Sequence, residues 1–270
     1  MNILVPFNFS SSSLNALRFG IKQVLDSGSS LKVLHCFDLQ LPSFDLTYTV
    51  DVASTKKYKD GISTEFEALR EEFPEIADVQ WDFEVREGFL VDVAREVIEN
   101  ENIDLIVMGM GDSGGITKTL FGNTTLEMMN STKLPIIAIP KDFKEFEIKN
   151  ICIATDMAPD SVEDLDMARH FSAMYNAKVH LLNIGGDPKE IDIDHSLVAL
   201  GLHDFLKGIA HEFHFLSDEK IDRTIEAFVK EFKIDMLVIR PGSHGLIGKL
   251  FSHTRKLLAY QTIPLMTIHK

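Results

Sequence analysis

Apolar residues fall along this chain in two alternating rhythms. Short unbroken runs such as Ile3-Leu4-Val5, Leu105-Ile106-Val107-Met108 and Ile136-Ile137-Ala138-Ile139 are separated by longer stretches with apolar positions every three or four residues. Unbroken runs suit strands of a parallel sheet whose two faces are both covered, and the wider spacing marks the helices that cover them. In the first half this predicts strands near 2–6, 31–37, 80–86, 103–109 and 135–139, with helices near 11–27, 50–72, 89–101 and 118–132. Phe89, Val93, Val97 and Ile98 are predicted to form the buried stripe of the third helix. Ser10 to Ser13 offer N-caps for the first helix and Gly28 a stop. Trp81 and Phe83 alternate with acids and read as strand core.

The second half repeats the first. Asn2-Ile3-Leu4-Val5-Pro6-Phe7-Asn8-Phe9-Ser10 has its partner in Asn150-Ile151-Cys152-Ile153-Ala154-Thr155-Asp156-Met157-Ala158. Ile103 to Gly109 is matched by Ile234 to Arg240, and Leu134 to Pro140 by Ile263 to His269. Separated matches in the same order mean a tandem duplication, with domains expected at 1–144 and 145–270. The second copy has a shorter second helix, near 197–209, and an exposed loop from Gly185 to His195. The fold expected is α/β: two tandem doubly wound, five-stranded parallel-sheet domains of Rossmann-like type. Ligands of such sheets bind beyond the carboxyl ends of the strands, where the strand order reverses. The closing strands, Ile136 to Ile139 and Leu265 to Ile268, are short apolar edges that need a cover.

Composition narrows the function classes. With 270 residues, 45% apolar and 25% charged, the chain has room for two domains with real cores. Net charge is −14; a split before Phe146 gives 13 basic and 23 acidic residues, then 14 and 18. Both halves repel a polyanion, so no nucleic-acid partner is expected. A small phosphorylated ligand held by backbone amides needs little positive charge. No apolar run is long enough to span a membrane, and the opening residues lack a signal peptide's basic stretch and longer apolar core. Cys36 and Cys152 each lie in an apolar run, as buried free thiols do. No membrane partner and a cytoplasmic location are therefore expected.

The segment from Gly109 to Thr125 carries the most chemistry. It leaves an apolar strand and enters a helix, and Gly109, Gly111, Gly114, Gly115 and Gly122 let its backbone approach a ligand and present N–H groups. Asn123, Thr124 and Thr125 open the next helix, where a phosphate would meet the helix dipole. The spacing is neither G-x-G-x-x-G nor a P-loop, and a plain strand-to-helix turn uses glycine too.

An apolar strand, a glycine, two residues, a glycine, nine residues and Gly-Ser or Gly-Thr, then a short strand opened by proline, is the signature this region resembles. It is that of the universal stress protein family. Gly109 and Gly122 hold the first and last glycines, Gly115 fits an internal one, and Val107-Met108-Gly109 and Leu134-Pro135-Ile136-Ile137 match the flanking strands. Pro6-Phe7-Asn8-Phe9-Ser10 resembles the family's opening P-T-D-x-S, and Val33-Leu34-His35-Cys36 its second strand. Both halves carry the likeness. It implies a tandem universal stress protein, a stress-response regulatory or ligand-sensing module rather than an enzyme, binding ATP or AMP with Mg²⁺ only alongside nucleotide. The residues it assigns to such a site in the first half are Pro6, Asn8, Cys36, Gly109, Asp112, Gly114, Gly115, Gly122, Asn123 and Thr124.

The departures are specific. Asp112 stands at the second glycine, Asn123 at the Ser or Thr, and Asn8 at the aspartate that contacts adenine in nucleotide-binding relatives. A carboxylate beside a triphosphate is repulsive unless a metal bridges it, so the site is degenerate, although Thr124 could supply the missing hydroxyl. The second half keeps Asp156, but Arg240 and His253 replace both end glycines of its loop, and no nucleotide is expected there. A pure protein-interaction scaffold without a ligand is the alternative. The family's closing strands pair across a dimer axis, which implies an intramolecular pseudo-dimer here and leaves a homodimer open. Among His195, His203, His211, His214, His244 and His253, the pair His211 and His214 point to opposite faces of a strand and cannot share a metal. Asp192, Asp194 and His195 could gather a surface ion or equally form a plain acidic loop; no metal site and no nucleophile beside a base are expected.

Overall fold

Ten strands run through the middle of the molecule as one sheet, and helices cover both of its faces. The computed structural model describes residues 1–37, 52–71, 73–111, 123–144, 147–155, 165–184, 193–216, 221–239 and 262–268. The first half contains β1 (Asn2–Pro6), α1 (Ser11–Ser27), β2 (Ser30–Phe37), α2 (Val52–Arg70), β3 (Gln80–Glu87), α3 (Leu90–Glu101), β4 (Leu105–Gly109), α4 (Asn123–Ser131) and β5 (Ile136–Ile139). The second contains β6 (Asn150–Ala154), α5 (Asp166–Tyr175), β7 (Lys178–Ile184), α6 (Ile193–Phe205), β8 (His211–Leu216), α7 (Ile221–Glu231), β9 (Met236–Ile239) and β10 (Leu265–Thr267).

The strand order is β3-β2-β1-β4-β5-β10-β9-β6-β7-β8. Pairing is parallel within each half, and β5 meets β10 antiparallel, with Ile137 opposite Met266. The two expected five-stranded sheets are therefore continuous. Alternate strand residues feed two cores, as the pleat requires. Ile3, Val5, Leu31, Val33 and Val107 pack under α1, α2, α5 and α6; Leu4, Leu34, Ile106, Met108 and Ala138 pack under α3, α4 and α7.

Helix ends follow local chemistry. Ser10 caps α1 by accepting from Ser13 N–H, and Gly28 ends it at φ 66. The predicted stripe of α3 is corrected at its start. Phe89 is the extended N-cap residue, 65% exposed, and the buried face is Val91, Val93, Ala94 and Val97. A residue outside helical φ/ψ does not project along the helical stripe. A 3₁₀ turn at Pro74–Asp78 was not visible in the pattern, and α6 starts at Ile193, placing His195 in a helix rather than a loop. Trp81 and Phe83 do pack inward, their rings 5.2 and 3.8 Å from that of Phe66.

Contacts between the halves are apolar and specific. Phe19 of α1 is fully buried, its ring 6.5 Å from those of Phe143 and Phe171. Gln23 Nε2 donates to the Tyr175 hydroxyl across the junction, while within the first half Asn15 Nδ2 donates to the carbonyls of Pro140 and Phe143 at 3.2 and 3.1 Å. One apolar cluster includes Phe19, Val33, Phe171 and Val179, so the halves should unfold together. Phe19→Ala is expected to cost about 3–5 kcal/mol in urea denaturation and to leave one cooperative transition. Two resolved transitions would contradict the shared core.

Candidate functional site

After β1 the chain builds outward through β2 and β3, then returns to place β4 and β5 on the other side. The carboxyl ends of β1 and β4 thus diverge, and a crevice opens between them. It is a cavity of about 390 Å³ lined by Pro6, Phe7, Asn8, Ser10, Ser12, Ser13, Leu34, Cys36, Leu90, Met108, Gly109, Gly111, Thr124 and Thr125. Its size is within the usual range for small-molecule sites. Pro6, Leu34, Leu90 and Met108 make one side apolar, while the hydroxyls from α1 and α4 make the other polar. No charged side chain lines it among the described residues.

Each wall has a local cause. Gly109 ends β4 against the first turn of α1, and a Cβ there would lie 2.6 Å from the Ser12 carbonyl carbon and 2.7 Å from Ser12 Cβ and Oγ. Asn8 serves the turn into α1. Its Oδ1 accepts from Ser10 N–H at 3.2 Å, its own N–H meets Ser13 Oγ at 3.4 Å, and Phe9 takes a left-handed φ of 62. Thr125 Oγ1 donates to the Gly109 carbonyl at 3.0 Å, fixing the start of α4 to the end of β4 and leaving Thr124 exposed at the rim. Cys36 is half-buried, and burial pushes its thiol up to about 12, so the site has no thiolate at neutral pH.

Five of the residues assigned from sequence, Pro6, Asn8, Cys36, Gly109 and Thr124, line this one cavity. Asn123 opens α4, while Asp112, Gly114, Gly115 and Gly122 lie outside the described residues. Ser12, Leu34, Leu90 and Met108 were missed, while Thr125, expected at the helix start facing a phosphate, lines the cavity too. The serine run had been read only as caps, although alternation along β2 puts Leu34 on the same face as Cys36. His35 looks the other way. It is buried with Nδ1 2.9 Å from the Phe7 carbonyl, a bond that needs the Nδ1–H tautomer, and burial holds its pKa below the ordinary value. Asn183 does the same work in the second half, donating from Nδ2 to the Thr155 carbonyl at 3.1 Å. Both side chains tie the second strand of a half to the residue that leaves its first.

In the second half, Asp156 and the loop from Arg240 to Thr254 lie outside the described residues. His211 and His214 do face opposite ways, but each finds another histidine. His211 Nε2 lies 2.8 Å from His203 Nδ1, and His214 Nε2 lies 3.0 Å from His180 Nδ1. Among the described residues, one group could hold a metal ion: His180, Glu212 and His214, with donor atoms within 4.8 Å of one another. None of the described helices is long and apolar enough to cross a membrane.

The sequence model of the universal stress protein family matches residues 1–140, half of the chain and all of the crevice. The chain belongs to the universal stress protein family. Its fold is similar along its whole length to a universal stress protein from Archaeoglobus fulgidus DSM 4304 (17% identity, 100% of this chain and 96% of that one, TM-score 0.69). A putative universal stress protein from Pseudomonas aeruginosa UCBPP-PA14 is similar too (14% identity, 99% and 92%, TM-score 0.67). Among curated proteins none matches.

Two outcomes follow for this family member. Gly109→Ala should cost about 1–3 kcal/mol by overpacking against Ser12. Ser12→Gly should recover only part of it in urea melts, because the backbone carbon at 2.6 Å remains. Iodoacetamide at pH 8 should leave folded Cys36 unmodified and react only after denaturation, which mass spectrometry of the alkylated peptide reads directly.

Proposed function

We propose that the crevice of the first half binds an adenine nucleotide, ATP or AMP, and that the chain acts as a stress-response ligand-sensing module. The observation that carries this reading is the amphipathic cavity at the switch point, with Gly109, the first glycine of the family's signature, in its wall. Its apolar side, Pro6, Leu34, Cys36, Leu90 and Met108, suits the faces of a purine. Its hydroxyl-bearing side, Ser10, Ser12 and Thr124, suits ribose and phosphate oxygens. With no cation lining the cavity among the described residues, phosphates would depend on backbone N–H groups and the start of α4. Mg²⁺ would arrive only with a triphosphate.

The site is a degenerate one in this reading. Where nucleotide-binding relatives carry an acid toward adenine, Asn8 uses its carbonyl oxygen on Ser10. Roles divide between 1–144, which binds, and 145–270, which does not. No catalytic residue is assigned, since among the described residues no carboxylate, imidazole or amine lines the crevice to activate its hydroxyls, and the Cys36 thiol is protonated. The engagement of Asn8 also favours a second reading, an interaction scaffold without a small ligand.

Calorimetric titration with AMP, and with ATP in the presence and absence of Mg²⁺, separates the two. The nucleotide reading expects one equivalent bound per chain, a raised melting temperature, loss of binding in Leu90→Trp and tighter binding in Asn8→Asp. Absence of both heat and thermal shift at millimolar nucleotide leaves the scaffold.

A further inference from the structure

The duplicated frame places two different clusters at one position. In the first half, Lys32 on β2 sits opposite Asp82 on β3, and its ammonium lies 3.0 Å from Asp82, 2.9 Å from Glu84 and 2.8 Å from Glu101. A cation held by three carboxylates fills that position. In the second half Asn150 pairs with Lys178 as Asn2 pairs with Ser30, so His180 takes the place of Lys32. Glu212 opposite it takes that of Asp82, and His214 that of Glu84. The frames share their anchoring bonds. Asp104 and Asp235 accept from the N–H groups of Asn2 and Asn150, whose Nδ2 groups donate to the carbonyls of Asn102 and Lys233. The lysine at that position is gone from the second copy, where Lys178 reaches Glu212 from the position of Ser30 and imidazole nitrogens stand around the vacated place.

We propose that His180, Glu212 and His214 bind a divalent transition-metal ion of the zinc type. The bond from Asn150 Nδ2 to Lys233 turns Asn150 Oδ1 toward His180, 3.3 Å from Nε2. His180 therefore carries its proton on Nε2 and points the Nδ1 lone pair at His214, an orientation of the kind second-shell partners impose on metal-binding histidines. Burial favours the neutral form of both imidazoles. In the metal-free chain His214 Nε2–H donates to the His180 Nδ1 lone pair, and binding a metal moves that proton to His214 Nδ1. His180 Nδ1 to His214 Nε2 is 3.0 Å, and His214 Nε2 to Glu212 Oε2 is 3.9 Å. Donors around tetrahedral zinc stand about 3.3 Å apart, between those two values. Two imidazoles and a carboxylate leave the fourth position to water, and this donor set favours zinc and its neighbours over Mg²⁺ or Ca²⁺. Phe228 and Phe232 cover the histidine pair, with rings 4.8 and 4.6 Å from that of His214. Lys178 Nζ holds Glu212 Oε2 at 2.6 Å and must release it to the metal. Both groups are more than two-fifths exposed, so that release costs little. Among the described residues the pair His203 and His211 has no third donor beside it.

The test uses the full chain, stripped with chelator and titrated with Zn²⁺ by calorimetry and with Co²⁺ by visible absorption. One equivalent of Zn²⁺ is expected, with a raised melting temperature and a tetrahedral-type Co²⁺ band. His214→Gln and Glu212→Gln should each weaken Zn²⁺ about tenfold or more, whereas His203→Gln with His211→Gln should not. His180→Lys with His214→Glu, which rebuilds an ion pair like that of the first half, should stay folded and take up no metal. Failure to bind one equivalent overturns the proposal. So does binding that survives His214→Gln or Glu212→Gln, or that is lost only in the His203/His211 variant.

Discussion

Four consecutive residues with no exposure, Ile136 to Ile139, cannot end a sheet in water. The apolar area would stay wet and the main-chain N–H and C=O groups of an edge would lack partners. Much else depends on how this chain meets that constraint. β10 is as buried as β5 and lies against it antiparallel, so each half covers the other's edge. The pairing also brings α1 and α5 together over the junction, where Phe19 and Phe171 close the gap and Gln23 reaches Tyr175. Asn15 then ties α1 to the segment leaving β5, and α1 in turn supplies Ser10, Ser12 and Ser13 to the crevice. The crevice rests on the junction.

A second close approach shapes the crevice itself. The first glycine of the signature, Gly109, reads from sequence as room for a ligand, but the space its missing side chain leaves is filled by Ser12. Glycine here lets a helix start sit directly on a strand end, which brings the polar first turn of α1 to the rim. Ligand room comes instead from the divergence of β1 and β4. The glycine signature is thus partly architectural, and a chain could keep it after losing its ligand. Asn8, engaged with the turn, shows how such a loss would leave the fold intact.

Legibility from sequence followed the range of the interaction. Apolar patterning placed the five strands of the first half and the tandem matches placed β6, β9 and β10, because parallel burial and duplication both write themselves along the chain. Phe89 was misplaced because its apolar character fits the stripe while its backbone is that of a cap. His35 and Asn183 share a task that no one-dimensional comparison reveals, since a histidine and an amide look unrelated until both are seen donating to the same carbonyl position. His180 escaped notice for a related reason. Its partners lie on the neighbouring strand, and only the register between β7 and β8 brings Glu212 and His214 beside it.

That register explains why the copies diverged as a set. Lys32 is charged in a confined position: burial alone would lower its pKa, but hydrogen bonds to Glu101, Glu84 and Asp82 prevail and hold it above its usual range. Removing one member of such a cluster leaves a poorly compensated charge, which for a fully buried pair costs about 3–5 kcal/mol and for this part-exposed one less. Changing lysine alone would leave acids crowded together; changing the acids alone would strand the ammonium. The second half shows the joint change, with His180, His214 and Phe232 at the positions of Lys32, Glu84 and Glu101. Neutral imidazoles and a phenyl ring carry no such cost, and the hydrogen bonds of Asp235, Asn150 and Lys233 keep the frame in place beneath them. A duplicated sheet can therefore exchange an ion cluster for a donor cluster without moving its backbone, provided the exchange is made across two strands and a helix end together.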